Sequence, residues 1–167
     1  MPNAGNLGTW VDRFTAIIFD VAGTLAFEHS HRLQQKTIDP EAAQTMRTLH
    51  DSGKRIVICS NTLPCETRWP AFEQAGVHDT VTAALLSHAV GVRKPNPLMY
   101  ELALSAAQCQ AHEALFVGDN PNEDVAAPIW HGMSACLIWN PHTNASPPPV
   151  PSGARVITHV RDLLTLT

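Results

Sequence analysis

Polar residues able to do chemistry stand directly behind three apolar runs of this chain. Asp20 follows Ile17-Ile18-Phe19, Ser60-Asn61 follows Ile56-Val57-Ile58-Cys59, and Gly118-Asp119 follows Leu115-Phe116-Val117. Lys94 precedes Pro95 and a helix start at Asn96-Pro97. Two separate carboxylates, a hydroxyl, an amide and a lysine suit a magnesium ion with a phosphoryl group. Hard oxygen ligands hold Mg²⁺, and an ammonium neutralises phosphate charge. Each residue alone would read as a turn cap. Their occurrence together, in this order, is what favours chemistry.

These side chains can converge only if the runs are strands of one sheet. Thr15 to Phe19, Arg55 to Cys59, Val81 to Ala84, Ala114 to Val117 and Ala135 to Trp139 read as short buried strands. Helices alternate with them. Asp39-Pro40 starts one, as N-cap and first-turn proline, and Gly53 closes it. Others run from about Glu66 to Ala75, from Asn96-Pro97 to Gln108 and from Glu123 to His131. A short strand, Arg155 to Ile157, and a last helix follow. The alternation predicts an α/β fold: a central, mostly parallel sheet with helices on both faces and right-handed crossovers. In such sheets the carboxyl ends of the strands form the ligand crevice. One domain over residues 1–167 is expected, with its core over about residues 15–140 and a proline-rich surface loop over 141–153.

Composition narrows the partners. The 167 residues carry a formal charge of -4 and no basic run, so no nucleic-acid partner is expected. No apolar stretch approaches the roughly 18 residues of a membrane span. Residues 1–11 lack the charged start and apolar run of a secretory leader. Cys59, Cys65, Cys109 and Cys136 form no CxxC pair, which argues against a zinc or redox site and makes a cytoplasmic setting the expectation. Cys59 lies in an apolar run as a buried thiol and is a poor rival to Asp20 as nucleophile. His50, His78, His88, His112, His131, His142 and His159 show no metal-ligand spacing and read as surface or helix-end residues. Trp69, Phe72 and Trp130 read as core or scattered surface.

Four ordered segments carry a resemblance to a known family. They are Ile17 through Thr24, Cys59-Ser60-Asn61, Gly91 through Pro97 around Lys94, and Phe116 through Asp124 followed by Gly132-Met133. Together they resemble the motifs of the haloacid dehalogenase-like (HAD) superfamily, which is mostly phosphatases, and the likeness runs from about Thr15 to Trp139. The resemblance implies a three-layer Rossmann-like fold, Mg²⁺ as cofactor and a phosphorylated substrate. Asp20 would attack phosphorus and form an aspartyl-phosphate. Ser60 would hydrogen-bond a phosphoryl oxygen, Asn61 would help orient the substrate, and Lys94 would neutralise charge on Asp20 and the phosphoryl group. Asp20, Asp119 and the backbone carbonyl of Ala22 would bind the metal, with Asp124 supporting it directly or through water. Gly23 and Thr24 would shape the loop around the nucleophile and the substrate.

One position departs from the family pattern. HAD phosphatases usually carry a second Asp two residues after the nucleophile, and this chain has Ala22 there. The carbonyl is kept, but the acid/base carboxylate is lost, and such a group is worth roughly 10²–10⁴-fold. Four readings follow. Glu28, His29 or His31 supplies the proton; or the enzyme is restricted to activated phosphates. The Asp-x-Ala-Gly-Thr form also resembles phosphonoacetaldehyde hydrolase, which cleaves a C–P bond with a lysine from a cap domain; Lys36 is the one lysine in the flap region. Lastly, the domain has lost catalysis and serves binding or assembly. Retention of Asp20, Ser60, Lys94, Asp119 and Asp124 argues against that last reading, and the intact metal pattern argues against dehalogenation. Only 35 residues separate Thr24 from Ser60, and 32 separate Asn61 from Lys94, so no full cap domain is expected. An open site implies a bulky substrate or closure by a second copy of the chain.

Overall fold

The computed structural model describes residues 8–140, 142 and 145–167. Most of the expected leader-free segment 1–11, and three positions of the proline-rich stretch (141, 143 and 144), lie outside the described residues. The first strand, β1 (Ala16–Phe19), is buried at every position, as a continuous apolar run requires of a strand covered on both faces. A hairpin follows at once: β2 (Ala26–Ser30) pairs antiparallel with β3 (Gln35–Ile38), with a bulge between Ala26 and His29. Helix α1 (Pro40–Asp51) starts where Asp39 accepts the Ala42 N–H at 2.9 Å. Then come β4 (Arg55–Ser60), α2 (Trp69–Gln74), β5 (Val81–Leu86), the short α3 (Ser87–Val90) and α4 (Pro97–Ala107). The chain closes with β6 (Ala114–Gly118), a π-turn over Pro121–Ala126 running into α5 (Ala127–Trp130), β7 (Ser134–Ile138), β8 (Ala154–Ile157) and a 3₁₀ turn over Val160–Leu164.

The main sheet has six strands in the order β5-β4-β1-β6-β7-β8, and every pairing in it is parallel. Alternation along β1 sorts its side chains between two layers. Ile17 and Phe19 join Met46 and Leu49 of α1, Phe72 of α2 and Leu163. Ala16 and Ile18 join Met99, Tyr100 and Ala103 of α4 on the other face. This is the expected three-layer arrangement. Strand order reverses at β1, whose neighbours are β4 on one side and β6 on the other. The crevice of an open parallel sheet lies at such a reversal, and Asp20 and Asp119 leave the sheet on its two sides.

Several elements differ from the sequence expectation. The flap after β1 is an ordered hairpin, not a loop; its β2 exposes Phe27, Glu28 and His29 in a row, so no apolar alternation announced it. Helix α2 begins at Trp69 rather than Glu66, because Arg68 takes φ +64, a left-handed conformation that no helix continues through. The helix expected from Glu123 starts as a π-turn; Pro128 has no N–H for the carbonyl of Asp124, which a regular α-turn would need. The last helix is a 3₁₀ turn. Neither gap between the motifs holds a cap domain: one contains the hairpin and α1, the other α2, β5 and α3. Among the described residues no helix is long and apolar enough to cross a membrane.

Candidate active site

Asp20 is held at the end of β1 by its own N–H, which donates to the Val117 carbonyl at 3.0 Å and so extends the pairing with β6. The chain then turns sharply. The N–H groups of Thr24, Leu25 and Ala26 all converge on the Val21 carbonyl, at 2.9 to 3.1 Å. Gly23 makes the turn at φ +78, and a Cβ there would lie 2.1 Å from Asp119 Oδ2. Conformation and space both require glycine. Thr24 is fully buried in this loop, and its Oγ1 has no hydrogen-bond partner among the described residues. Ala22 is half-buried and bridges to Ala26.

Lys94 is buried at 1% exposure, and its Nζ lies 3.1 Å from Asp20 Oδ1 and 2.6 Å from Asp124 Oδ1. Asn61, just beyond Ser60 at the end of β4, clamps it in place. The Lys94 N–H donates to Asn61 Oδ1 at 2.8 Å, and Asn61 Nδ2 donates to the Lys94 carbonyl at 3.0 Å. The same Nδ2 lies 3.3 Å from Glu123 Oε2. Asn61 is therefore a positioning residue for Lys94, a role that its place behind Ser60 did not suggest. Ser60 is itself buried at the strand end.

Asp124 is also buried, and its Oδ2 accepts the Asn120 N–H at 3.0 Å. It packs against the end of β6, where a Cβ on Gly118 would lie 2.2 Å from Asp124 Cγ. Burial pushes the Asp124 carboxyl up to about 7, with Lys94 pulling it down and Asp20 adding to the rise. Burial alone would lower Lys94, but Asp20 and Asp124 outweigh it and hold the ammonium above the ordinary lysine range. Asp119 reaches solvent, yet partial burial and the charge of Asp20 raise it, against Lys94 and Lys36 of the hairpin. Carboxylate oxygens of Asp20, Asp119 and Asp124 lie within 4.8 Å of one another. Three acidic groups against one buried ammonium leave a negative excess. An all-oxygen donor set beside two glycines whose Cβ would fill the space fits a hard divalent cation such as Mg²⁺.

Two residues that sequence reasoning missed support this cluster. Tyr100 of α4 donates its hydroxyl to the Glu123 carbonyl at 2.6 Å and anchors the π-turn that carries Asp124. Glu123 meets Asn61. Neither carries a sequence signal; Tyr100 is found through the placement of α4 against the loop, and Glu123 through its contact with Asn61 behind β4. Other expectations fare differently. Glu28, His29 and His31 stand exposed on the hairpin and make no hydrogen bond or ion pair with Asp20, Lys94, Asp119 or Asp124 among the described residues. Cys59 is buried and its thiol is pushed up to about 12 by burial, which removes it as a nucleophile. His159, read as an ordinary surface or helix-end residue, caps the last 3₁₀ turn but also pairs with Asp39 at 3.0 Å. Phe72 is core, whereas Trp130 is 88% exposed.

Comparison with known proteins agrees with this arrangement. The family model for haloacid dehalogenase-like hydrolases matches residues 31–132. A glyceraldehyde 3-phosphate phosphatase from Methanothermobacter thermautotrophicus is 28% identical over 127 residues, covering 76% of this chain and 56% of the relative. A ribulose-1,5-bisphosphate 5-phosphatase from Halopiger xanaduensis is 30% identical over 106 residues, covering 64% and 44%. The chain spans about half the length of these curated relatives. Among solved structures, a HAD phosphatase from Thermococcus onnurineus superposes with a TM-score of 0.76 at 15% identity, covering 91% of this chain and 97% of that one. The fold, the order of the strand-end residues and the family match converge: the chain belongs to the haloacid dehalogenase-like hydrolases.

Proposed function

We propose that this chain is a Mg²⁺-dependent phosphatase that works through an aspartyl-phosphate on Asp20. The observation that carries the reading is the buried Lys94 ammonium bridging Asp20 and Asp124, with Asp119 in the same cluster. The phosphatase names of the relatives support it. Asp20, Asp119, Asp124 and the Ala22 carbonyl are the groups that would hold Mg²⁺, which when bound withdraws charge from phosphoryl oxygens. A carboxylate oxygen of Asp20 attacks phosphorus, and the bond to the leaving group breaks. Lys94, 3.1 Å from Asp20 Oδ1, offsets charge on Asp20 and on the phosphoryl group. Ser60 donates a hydrogen bond to a phosphoryl oxygen. Water then attacks the aspartyl-phosphate and restores Asp20.

Ala22 supplies neither acid nor base. The deficit of roughly 10²–10⁴-fold, about 3–5 kcal/mol of barrier, falls hardest on leaving groups that need a proton. The capless site suits a bulky phosphorylated substrate or closure by a second copy of the chain. The test is phosphate release with Mg²⁺ from an alkyl, an aryl and an acyl phosphate and a nucleoside diphosphate, with Asp20→Asn as control. Asp20-dependent release is expected. Release from none of them, or release that survives Asp20→Asn, overturns the reading. Ala22→Asp should raise alkyl-phosphate turnover by ~10-fold or more, and by a larger factor than acyl-phosphate turnover, which gains only the base for the second step.

A further inference from the structure

A groove of about 590 Å³ opens from Gly23 and Asp119 and runs between the hairpin and the carboxyl ends of β7 and β8. That volume is in the range of small-molecule sites. Its walls are largely apolar: Phe27 of the hairpin on one side, Ile138 and Trp139 beyond β7 on the other. Phe27 is 40% exposed, and its ring packs beside the His159 ring, 6.1 Å from centroid to centroid, on the groove's lining.

Four of the polar groups along the groove pair with one another, and Asp119 stands at its inner end. Asp39 accepts the Ala42 N–H and pairs with His159 Nε2, and Arg161 pairs with Glu41. His159 Nδ1 accepts the Arg161 N–H at 3.1 Å, and its Nε2 lies 3.0 Å from Asp39 Oδ2. A substrate bearing a second anion beside its phosphoryl group would meet three carboxylates, Asp39, Glu41 and Asp119, and would have to draw Arg161 from Glu41. A flat, uncharged ring would find Phe27 and Trp139.

Resting on the phosphatase reading above, we propose that this groove seats the leaving group and selects aryl phosphates, esters of an uncharged aromatic alcohol, over small anionic alkyl phosphates. The missing acid at Ala22 points independently to the same class. A phenol has a pKa of roughly 10, whereas an alcohol lies nearer that of water, roughly 16. An aryloxide therefore departs without help. The Asp20 oxygen bonds to phosphorus, the P–O(aryl) bond breaks, and its electron pair leaves with the aryloxide, which takes a proton from solvent. Water then attacks phosphorus, phosphate is released and the Asp20 carboxylate is regenerated. The net reaction consumes one water and yields a phenol and phosphate.

Leaving-group chemistry alone would favour an aryl ester, so the test must isolate the groove. With Mg²⁺, 1-naphthyl phosphate, acetyl phosphate, glycerol 2-phosphate and phosphoglycolate are compared. Phe27→Ala should raise KM for 1-naphthyl phosphate at least ~5-fold, the loss of one aromatic wall, and should raise KM for acetyl phosphate by a smaller factor. Glu41→Gln, by freeing Arg161, should raise kcat/KM for phosphoglycolate and not for 1-naphthyl phosphate. An unchanged KM in Phe27→Ala, checked as folded by its melting curve, overturns the proposal. So does a kcat/KM for phosphoglycolate in the native enzyme equal to that for 1-naphthyl phosphate. If no substrate turns over, the phosphatase reading fails by itself. Calorimetric binding of 1-naphthyl phosphate, compared between the native protein and Phe27→Ala, still decides the groove: binding weakened by the substitution sustains it, and equal or absent binding overturns it.

Discussion

Removing the Lys94 ammonium would leave Asp20 and Asp124 facing one another without the counter-charge they share at 3.1 and 2.6 Å. Breaking one partner out of a buried ion pair costs about 3–5 kcal/mol, because the charge left behind is neither solvated nor paired. Lys94→Ala is therefore expected to lose activity and to lower the unfolding free energy from urea titration by that order in the absence of divalent ions, which moves the midpoint to lower urea. An unchanged midpoint would mean the two carboxylates are solvated well enough to do without lysine. Asn61→Ala should act more gently. It removes the two hydrogen bonds that fix the Lys94 backbone, and so should cut kcat while leaving the cluster's charges in place.

Short elements carry the site, and their ends depend on single side chains. Asp162 accepts the N–H of Thr158 and of His159 and the Thr158 hydroxyl, at 2.9 to 3.1 Å. Those bonds tie down the 3₁₀ turn whose Val160 and Leu163 enter the main core. Asp162→Ala should cost about 1 kcal/mol, as loss of a capping acid does. Although burial would raise it, these hydrogen bonds and Arg161 lower the Asp162 carboxyl below its ordinary value. The sign follows: the contribution is complete above the unfolded pKa of 3.8 and is lost as pH falls through the lower folded value. The difference in melting temperature between native and Asp162→Ala proteins should therefore shrink toward pH 3 and stay constant from pH 5 to 8. A gap that widens in acid would contradict this account.

Across the whole molecule, the reversal of strand order at β1 gathers acidic groups from β1, β6 and the π-turn. A divalent cation that binds this folded cluster and not the open chain must stabilise the fold, by about 2.7 kcal/mol at 100 times its dissociation constant. The melting temperature should rise on adding Mg²⁺ and fall back with chelator, and Asp119→Asn should blunt the rise. A melting temperature indifferent to Mg²⁺ would count against a metal at this cluster. The same reversal places the groove beside Asp119, since β7 and β8 lie on that side of the sheet.

Much of this was legible in the residues themselves. Continuous apolar runs can only be covered strands, Asp39-Pro40 and Asn96-Pro97 can hardly be anything but helix starts, and polar residues behind the strands fall at one edge because parallel strands share a direction. Asp20, Lys94, Asp119 and Asp124, which the fold brings together, could be named as candidates without coordinates, as could Ser60 and the departure at Ala22. Tertiary structure decided what spacing along a chain cannot: that Asn61 grips the Lys94 backbone 33 residues away, that Tyr100 props the π-turn, and that Phe27 packs beside His159 at the groove. The hairpin also escaped, because its β2 has no buried alternation to betray it. Local pattern sets elements, since burial acts on each segment separately. Partners distant in sequence meet only when the sheet order brings their loops together.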